Sequence, residues 1–213
     1  MGGGSGGHIY PLFAVSRKLR KIAQEKGVDL ELAAMADGNW RNEFEKEGIK
    51  FKNIFAPKLR KVEGGRLNPF AFFALPLTLI QAFWLVFVFM PDIVFSKGSF
   101  FSLMPSLAAF FYFIPLFVHE SDSVPGRVNR FTAKFAKRVF VSFESAARYF
   151  PPAKTVLSGN PIRKELLTGD KTEGGRYFNL DPNKKTVLFL AGSQGSKFIN
   201  DLVIAGLVQM TGK

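Results

Sequence analysis

Strands alternating with helical stretches predict an α/β fold with a parallel sheet, because consecutive parallel strands need crossover connections. Three features carry that prediction. The chain opens on a glycine turn, Gly2-Gly-Gly-Ser-Gly-Gly7, followed by apolar Ile9, Leu12, Phe13, Val15, Leu19 and Ile22 at helical spacing. Short apolar runs, Pro91-Asp-Ile-Val-Phe95 and Ile114-Pro-Leu-Phe-Val118, are bounded by turn residues and read as buried strands. Near the other end, Thr186-Val-Leu-Phe-Leu-Ala191 runs into Gly192-Ser-Gln-Gly-Ser196 and an amphipathic stretch, a second strand–turn–helix opening.

In chain order, the periodicity predicts a helix over about 10–25 and a strand over 29–34. A short helix around Trp40 and Phe44 and a second strand over 49–55 follow. Residues 71–89 form an apolar helix, 92–95 a strand, 101–113 a helix and 115–119 a strand. Residues 127–136 read as a further helix and 139–141 as a strand. Gly, Asp, Lys and Thr crowd 169–182, the composition of a surface connection. The division expected is a first domain over 1–165, a connection over 166–184, and the start of a second domain over 185–213. A glycine turn of this kind normally hangs from a strand, so the first domain is expected to lack its opening strand; a disordered tail or linker is the alternative.

Composition narrows the partners. With no cysteine among 213 residues there is no disulfide framework and no thiolate metal site, and two histidines exclude a His-rich zinc centre. A net charge of +12 calls for an acidic partner: nucleic acid, anionic lipid or a phosphorylated substrate. The 25 phenylalanines lie mostly in uncharged runs rather than interleaved with Lys and Arg, which argues against stacking on nucleic acid bases. Asn68–Pro91 and Gly98–Val118 carry no charge, and each is long enough to cross a bilayer as a helix. Prolines at 69, 76, 91, 105 and 115 interrupt them. The expectation is therefore peripheral contact with an anionic membrane surface, through the apolar helix and the basic cluster Lys58, Arg60, Lys61 and Arg66. Burial in the core and an integral membrane protein are the alternatives.

Four motifs occur in one order and spacing: GGGSGGHIYP from Gly2, HESDSVPGRVNR at 119–130, SGNPIR at 158–163 and AGSQGSKFIN at 191–200. Together they resemble the MurG-type enzymes of glycosyltransferase family 28, from the first residue to about Leu207. The resemblance implies two Rossmann-like domains of glycosyltransferase-B type facing a cleft. It implies inverting transfer of N-acetylglucosamine from UDP-N-acetylglucosamine to an undecaprenyl-linked muramyl-pentapeptide, at the cytoplasmic face of the cell membrane. No cofactor beyond the UDP-sugar donor is implied, no Asp-x-Asp metal motif is present, and a fragment of this length is expected to have little activity alone.

Candidate residues follow from chemistry and resemblance together. Ser5, Gly6 and Gly7 offer backbone N–H groups at a helix N-terminus, where phosphate is favoured. His8 is the candidate general base, with a packing or capping role as its alternative. The resemblance places a UDP-sugar contact at position 122, where Asp122 replaces the family's usual Asn and can accept but not donate a hydrogen bond. Glu120 is an acid or base, or a helix cap. Lys97 stands in a loop that is more glycine-rich in the family, as a point charge for the acceptor pyrophosphate. Arg163 is the interdomain arginine, suited to phosphate or ribose oxygens. Ser193, Gln194 and Gly195 sit at the turn expected to meet the nucleotide.

Overall fold

The computed structural model describes residues 1–55, 69–190 and 195–211, with no side chains given for 69–73 and 208–211. Two compact units divide the chain, Met1–Arg163 and Lys164–Lys213.

The first unit alternates as the periodicity predicts. Helix α1 spans Gly6–Lys26, strand β1 Ala33–Ala36, helix α2 Arg41–Lys46 and strand β2 Lys50–Asn53. Helix α3 spans Pro69–Phe89, β3 Val94–Ser96, α4 Phe100–Phe111 and β4 Leu116–Glu120. Then come α5 Arg127–Thr132, β5 Arg138–Val141, α6 Glu144–Ala147 and β6 Thr155–Leu157. Strands β1 and β2 pair in parallel, and β3-β4-β5-β6 form a parallel four-stranded sheet. Every strand of that sheet therefore ends on the same edge.

The first two residues tie the sheets together. Met1 nitrogen donates to the Phe95 carbonyl and Lys97 N–H donates to the Met1 carbonyl at 2.8 Å, the pattern of a parallel bridge to β3. Gly2 N–H reaches the Met35 carbonyl of β1 at 3.4 Å. The tail alternative is thereby corrected: residues 1–5 are ordered between two sheets.

Packing follows the apolar pattern. Val94, Leu116, Val118, Val139 and Val141 are buried along the four-stranded sheet beneath Ala108 and Ala109 of α4. A second cluster joins Ile9, Leu12 and Phe13 of α1 to Phe44 and Phe51, with Phe13 and Phe44 ring centroids 4.8 Å apart. Helix α3 buries Thr78, Ala82 and Val86, one stripe at i, i+4, i+8, and contacts α4. Its other faces leave Leu77, Ile80, Trp84, Phe87 and Val88 exposed.

Some expectations need correction. The prolines at 76 and 105 do not interrupt helices: α3 runs through Pro76 and α4 through Pro105. Each removes one backbone hydrogen bond at a cost of about 3 kcal/mol, which the packing of α3 against α4 overrides. Helix α1 begins at Gly6, four residues earlier than the apolar pattern marks, since glycines carry no periodicity. Helix α6 and strand β6 were not anticipated; both are too short to show a period.

In the second unit, α7 spans Lys171–Tyr177, inside the stretch read as a bare connection; Asp170 caps it by accepting from Glu173 N–H at 2.8 Å. Helix α8 spans Lys197–Thr211, as expected. Residues 186–190, expected as a strand, form none, and Val187, Leu188 and Leu190 are exposed. A strand requires neighbours for its backbone groups, and no described residue of this unit pairs with it. Among the described residues no helix is long and apolar enough to cross a membrane. The basic cluster at 58–66 lies outside the described residues.

Candidate functional site at the carboxyl edge of the parallel strands

Three loops meet at the edge where β3 and β4 end: residues 2–5 ahead of α1, 97–99 after β3, and 121–126 after β4. The first is built for close approach. A Cβ on Gly3 would lie 2.7 Å from the Phe101 ring, and one on Gly2 would lie 2.9 Å from the His8 carbonyl. Gly4 adopts a φ of 87°, a left-handed conformation that glycine takes without strain. Asp37 holds the loop in place: its carboxylate accepts from Gly4 N–H at 2.8 Å and from Asn39 N–H at 3.3 Å. Nothing in the apolar pattern marked Asp37; the only signal was an acidic residue ahead of Gly38-Asn-Trp40.

Ser5 is the N-cap residue of α1 and makes no side-chain cap, so the N–H groups of Gly6 and Gly7 open the helix uncapped by a side chain. His8 is half-buried, with Nδ1 3.2 Å from the Lys97 carbonyl. A carbonyl can only accept, so Nδ1 carries a proton, which in the neutral imidazole leaves the lone pair on Nε2.

Lys97 departs from its expected role as an exposed point charge. The residue is 1 % exposed, and its Nζ has no hydrogen-bond partner among the described residues. Burial pushes its pKa down to about 8, against the opposing pull of the Glu120 and Asp122 carboxylates. The next two residues both have positive φ, which only the second, a serine, takes with strain. Gly98 has φ 84°, where a Cβ would meet Asn129 Oδ1 at 2.7 Å. Ser99 has φ 78° and ψ 162°, a region that side-chain-bearing residues rarely occupy, and its buried Oγ also lacks a partner among the described residues.

Glu120 is the organiser of the third loop. Its two oxygens accept from Asp122 N–H (2.9 Å), Gly126 N–H (3.1 Å) and Asn129 Nδ2 (2.9 Å), so it pins the turn into α5. Asp122 is exposed at the loop's rim. His119 is buried, and its Nε2–H donates to the Gly159 carbonyl at 3.0 Å, tying β4 to the turn that carries Arg163. Burial, assisted by the nearby Lys97 charge, lowers the His119 pKa against the raising effects of Gly159 and Glu120. Arg163 lies over the Tyr10 ring, 4.6 Å from its centroid, so its guanidinium stands beside the first turns of α1.

Ser5, Gly6, Gly7, His8, Asp122 and Arg163 thus fall within the first unit, around one strand edge. Ser193 and Gln194 lie outside the described residues. Gly195, with φ 74°, precedes α8 in the second unit and is exposed. Among the described residues no group of three or more His, Cys, Asp or Glu is placed to hold a metal ion.

Residues 1–141 match the glycosyltransferase family 28 N-terminal domain. The chain belongs to glycosyltransferase family 28. Curated family 28 relatives align along its whole length. It is 36% identical over 213 residues to the UDP-N-acetylglucosamine--N-acetylmuramyl-(pentapeptide) pyrophosphoryl-undecaprenol N-acetylglucosamine transferase of Clostridium botulinum. It is 32% identical over 212 residues to transferase 2 of the same name from Bacillus cereus. The alignments take in 100% of this chain but only 58% and 59% of those relatives. In structure it is similar to Acinetobacter baumannii MurG, with a TM-score of 0.66 at 23% identity, over 97% of this chain and 56% of that one. A UDP-GlcNAc 2-epimerase from Neisseria meningitidis, solved with UDP-GlcNAc, is similar at a TM-score of 0.56 and 16% identity, over 84% and 50% of the two chains. These likenesses give the family 28 fold as α/β, with Rossmann-like parallel sheets of glycosyltransferase-B type.

Proposed function

We propose that this chain is the acceptor-side part of an inverting N-acetylglucosaminyltransferase of peptidoglycan synthesis. The observation that supports it most is the His8 imidazole, its Nδ1 turned to the Lys97 carbonyl at the strand edge where the three loops meet. The acceptor hydroxyl of the undecaprenyl-linked muramyl-pentapeptide attacks the anomeric carbon of UDP-N-acetylglucosamine. His8 Nε2 takes the hydroxyl proton as the bond to the UDP diphosphate breaks. The N–H groups of Ser5, Gly6 and Gly7 and the guanidinium of Arg163 face diphosphate oxygens, and Asp122 accepts from a sugar hydroxyl. Ser193, Gln194 and Gly195 remain candidates for nucleotide contact on their sequence motif alone. Lys97 acts through its field beneath the loops rather than by direct contact, since its amine is enclosed.

The same reading places the protein on the cytoplasmic face of the cell membrane, resting on the exposed apolar face of α3 against an anionic surface. Transfer of labelled N-acetylglucosamine to the lipid acceptor, measured in a full-length family 28 chain carrying this segment, tests the activity. His8→Ala there lowers kcat about 10²-fold with an unchanged unfolding midpoint. A loss below about fivefold would leave His8 a structural residue, and absence of transfer by the parent chain would remove the activity itself.

A further inference from the structure

Tyr10 is out of keeping with its neighbours on α1. Ile9, Leu12 and Phe13 enter the core around Phe44 and Phe51, whereas Tyr10 stays outside that core and is 41 % exposed. The ring is nevertheless braced. Trp40 and Phe13 meet it nearly at right angles, with centroids 6.0 and 6.2 Å away. Trp40 belongs to the turn whose Asp37 carboxylate holds Gly4 of the glycine loop. A Cβ on Gly6 would lie 2.9 Å from Tyr10 Cε2, so the ring leans back over the first turn of its own helix, as helical side chains do. The Arg163 guanidinium lies over this ring, 4.6 Å from its centroid.

Arg163 is anchored from its other end. Its turn is bonded to the sheet by Ser158 N–H on the Val141 carbonyl and by His119 Nε2–H on the Gly159 carbonyl, both at 3.0 Å. The side chain is exposed, and among the described residues its guanidinium makes no ion pair. A carboxylate partner would neutralise the charge and occupy the N–H fork. An aromatic ring attracts the cation while leaving those donors open. The arrangement also runs against local electrostatics. The positive end of the α1 dipole repels a cation, so keeping Arg163 beside it costs the empty protein and favours an anion that meets both.

We propose that Tyr10 is a positioning residue for Arg163: its ring fixes the guanidinium beside the opening turn of α1, where arginine and helix N–H groups meet one diphosphate together. Tyr10 itself touches no phosphate. A free arginine surrenders its rotamer freedom when the anion arrives, whereas an arginine already set on a ring has lost most of it beforehand. The ring therefore acts on affinity through Arg163 and through nothing else. The inference rests on the transfer reading above for the identity of the diphosphate, that of a UDP-sugar; the Tyr10–Arg163 contact itself is geometric.

Inorganic pyrophosphate, titrated into the 213-residue chain while the Arg163 side-chain resonances are followed, tests it. In the free chain the Arg163 methylene protons are expected upfield, shifted by the Tyr10 ring current. Tyr10→Phe keeps that shift, and Tyr10→Leu returns the protons to ordinary arginine positions. Tyr10→Leu is expected to weaken pyrophosphate binding roughly three- to fivefold, the worth of one exposed cation–π contact, and Tyr10→Phe by less than about twofold. In an Arg163→Ala background Tyr10→Leu should cost less than about twofold, because the ring has no arginine left to place. Equal losses in the two backgrounds would make Tyr10 merely structural and overturn the proposal. Arg163 protons that do not move between the parent and Tyr10→Leu would overturn it too, as would a parent chain that binds no pyrophosphate. In a full-length family 28 chain carrying this segment, the same cycle on kcat/KM for UDP-N-acetylglucosamine should show the same non-additivity. Absence of transfer there would remove the transfer reading, and pyrophosphate coupling that survives it would assign the pair to a different diphosphate and overturn the UDP-sugar.

Discussion

Two glycine-rich stretches in this chain precede helices, and the residues ahead of those helices have different surroundings. The first, residues 2–5, sits between β1 and β3, bonded to Phe95, Lys97 and Met35 and pressed against Phe101. The second precedes α8, and the apolar run 186–190 ahead of it pairs with no other described residue, although its sequence is the better strand former of the two. Intrinsic preference does not decide the matter. Backbone N–H and C=O groups settle where neighbouring strands take them, and Met1 and Gly2, though not themselves a strand, bond to β3 and β1 on either side. Seating the first turn also bears on chemistry, because it holds α1 and His8 against the facing Lys97 loop.

Amide exchange gives the widest separation between the two regions. Val118 and Val139, fully buried in the centre of the four-stranded sheet, are expected to exchange at least about 10⁴-fold slower than their intrinsic rates. Residues 187–190 should exchange within about tenfold of theirs. Strong protection across 187–190 would mean that this stretch has found a partner strand, and the contrast would collapse.

The sequence made the first unit legible because nearly every element there has a period long enough to show. Helices α1, α3 and α4 and the apolar strands β3 and β4 follow from spacing alone, within a few residues at each end. What spacing cannot show is satisfaction of hydrogen bonds. Glu120 in the HESD motif allowed an acid, a base or a cap, and only three donors within 3.1 Å reveal a carboxylate committed to holding its own loop. Asp37 and Asn129 were invisible for the same reason: their partners, Gly4 and Glu120, are 33 and 9 residues away. Lys97 was noticed for its charge, but its enclosure depends on loops from three parts of the chain. In the second unit the apolar run 186–190 has the composition of a strand but forms none, because no described residue offers its backbone a partner.

Glycine substitutions sharpen the contrast at the next scale. At Gly3 a side chain meets the Phe101 ring at 2.7 Å and the Asp37 carboxylate at 3.0 Å, so Gly3→Val forces the loop off its seat. A loss of about 2–4 kcal/mol in urea unfolding is expected, in the range of overpacked or strained core sites. Gly195 has open space around it and suffers only from its φ of 74°. Gly195→Ala should cost about 1 kcal/mol or less, the residual expense of a left-handed alanine near a chain segment with little packing. Similar midpoints for the two variants would show that the first turn is no more tightly seated than the second.

The smallest effect concerns a charge, and its sign is opposite. Lys97 is enclosed by the seated loops, and folding lowers its pKa from 10.5 to about 8. Between those values the unfolded chain still holds a proton that the folded chain has released, so stability rises with pH from about 8 toward 10.5. Below about 8 the folded protein carries a desolvated ammonium, and that cost is present in full. Lys97→Met keeps the length of the side chain and removes the charge, so it should stabilise the fold at pH 7 by about 1–3 kcal/mol and flatten the rise above pH 8. Lys197→Met, at an exposed position paired with Asp201, should change stability by no more than about 0.5 kcal/mol at any pH. Stabilisation by the first substitution identifies an ammonium kept at the strand edge at the expense of the fold, as expected of a group retained for its field on a bound diphosphate. Destabilisation by Lys97→Met would instead mean that the amine is satisfied inside the protein, and its part in the site would be structural.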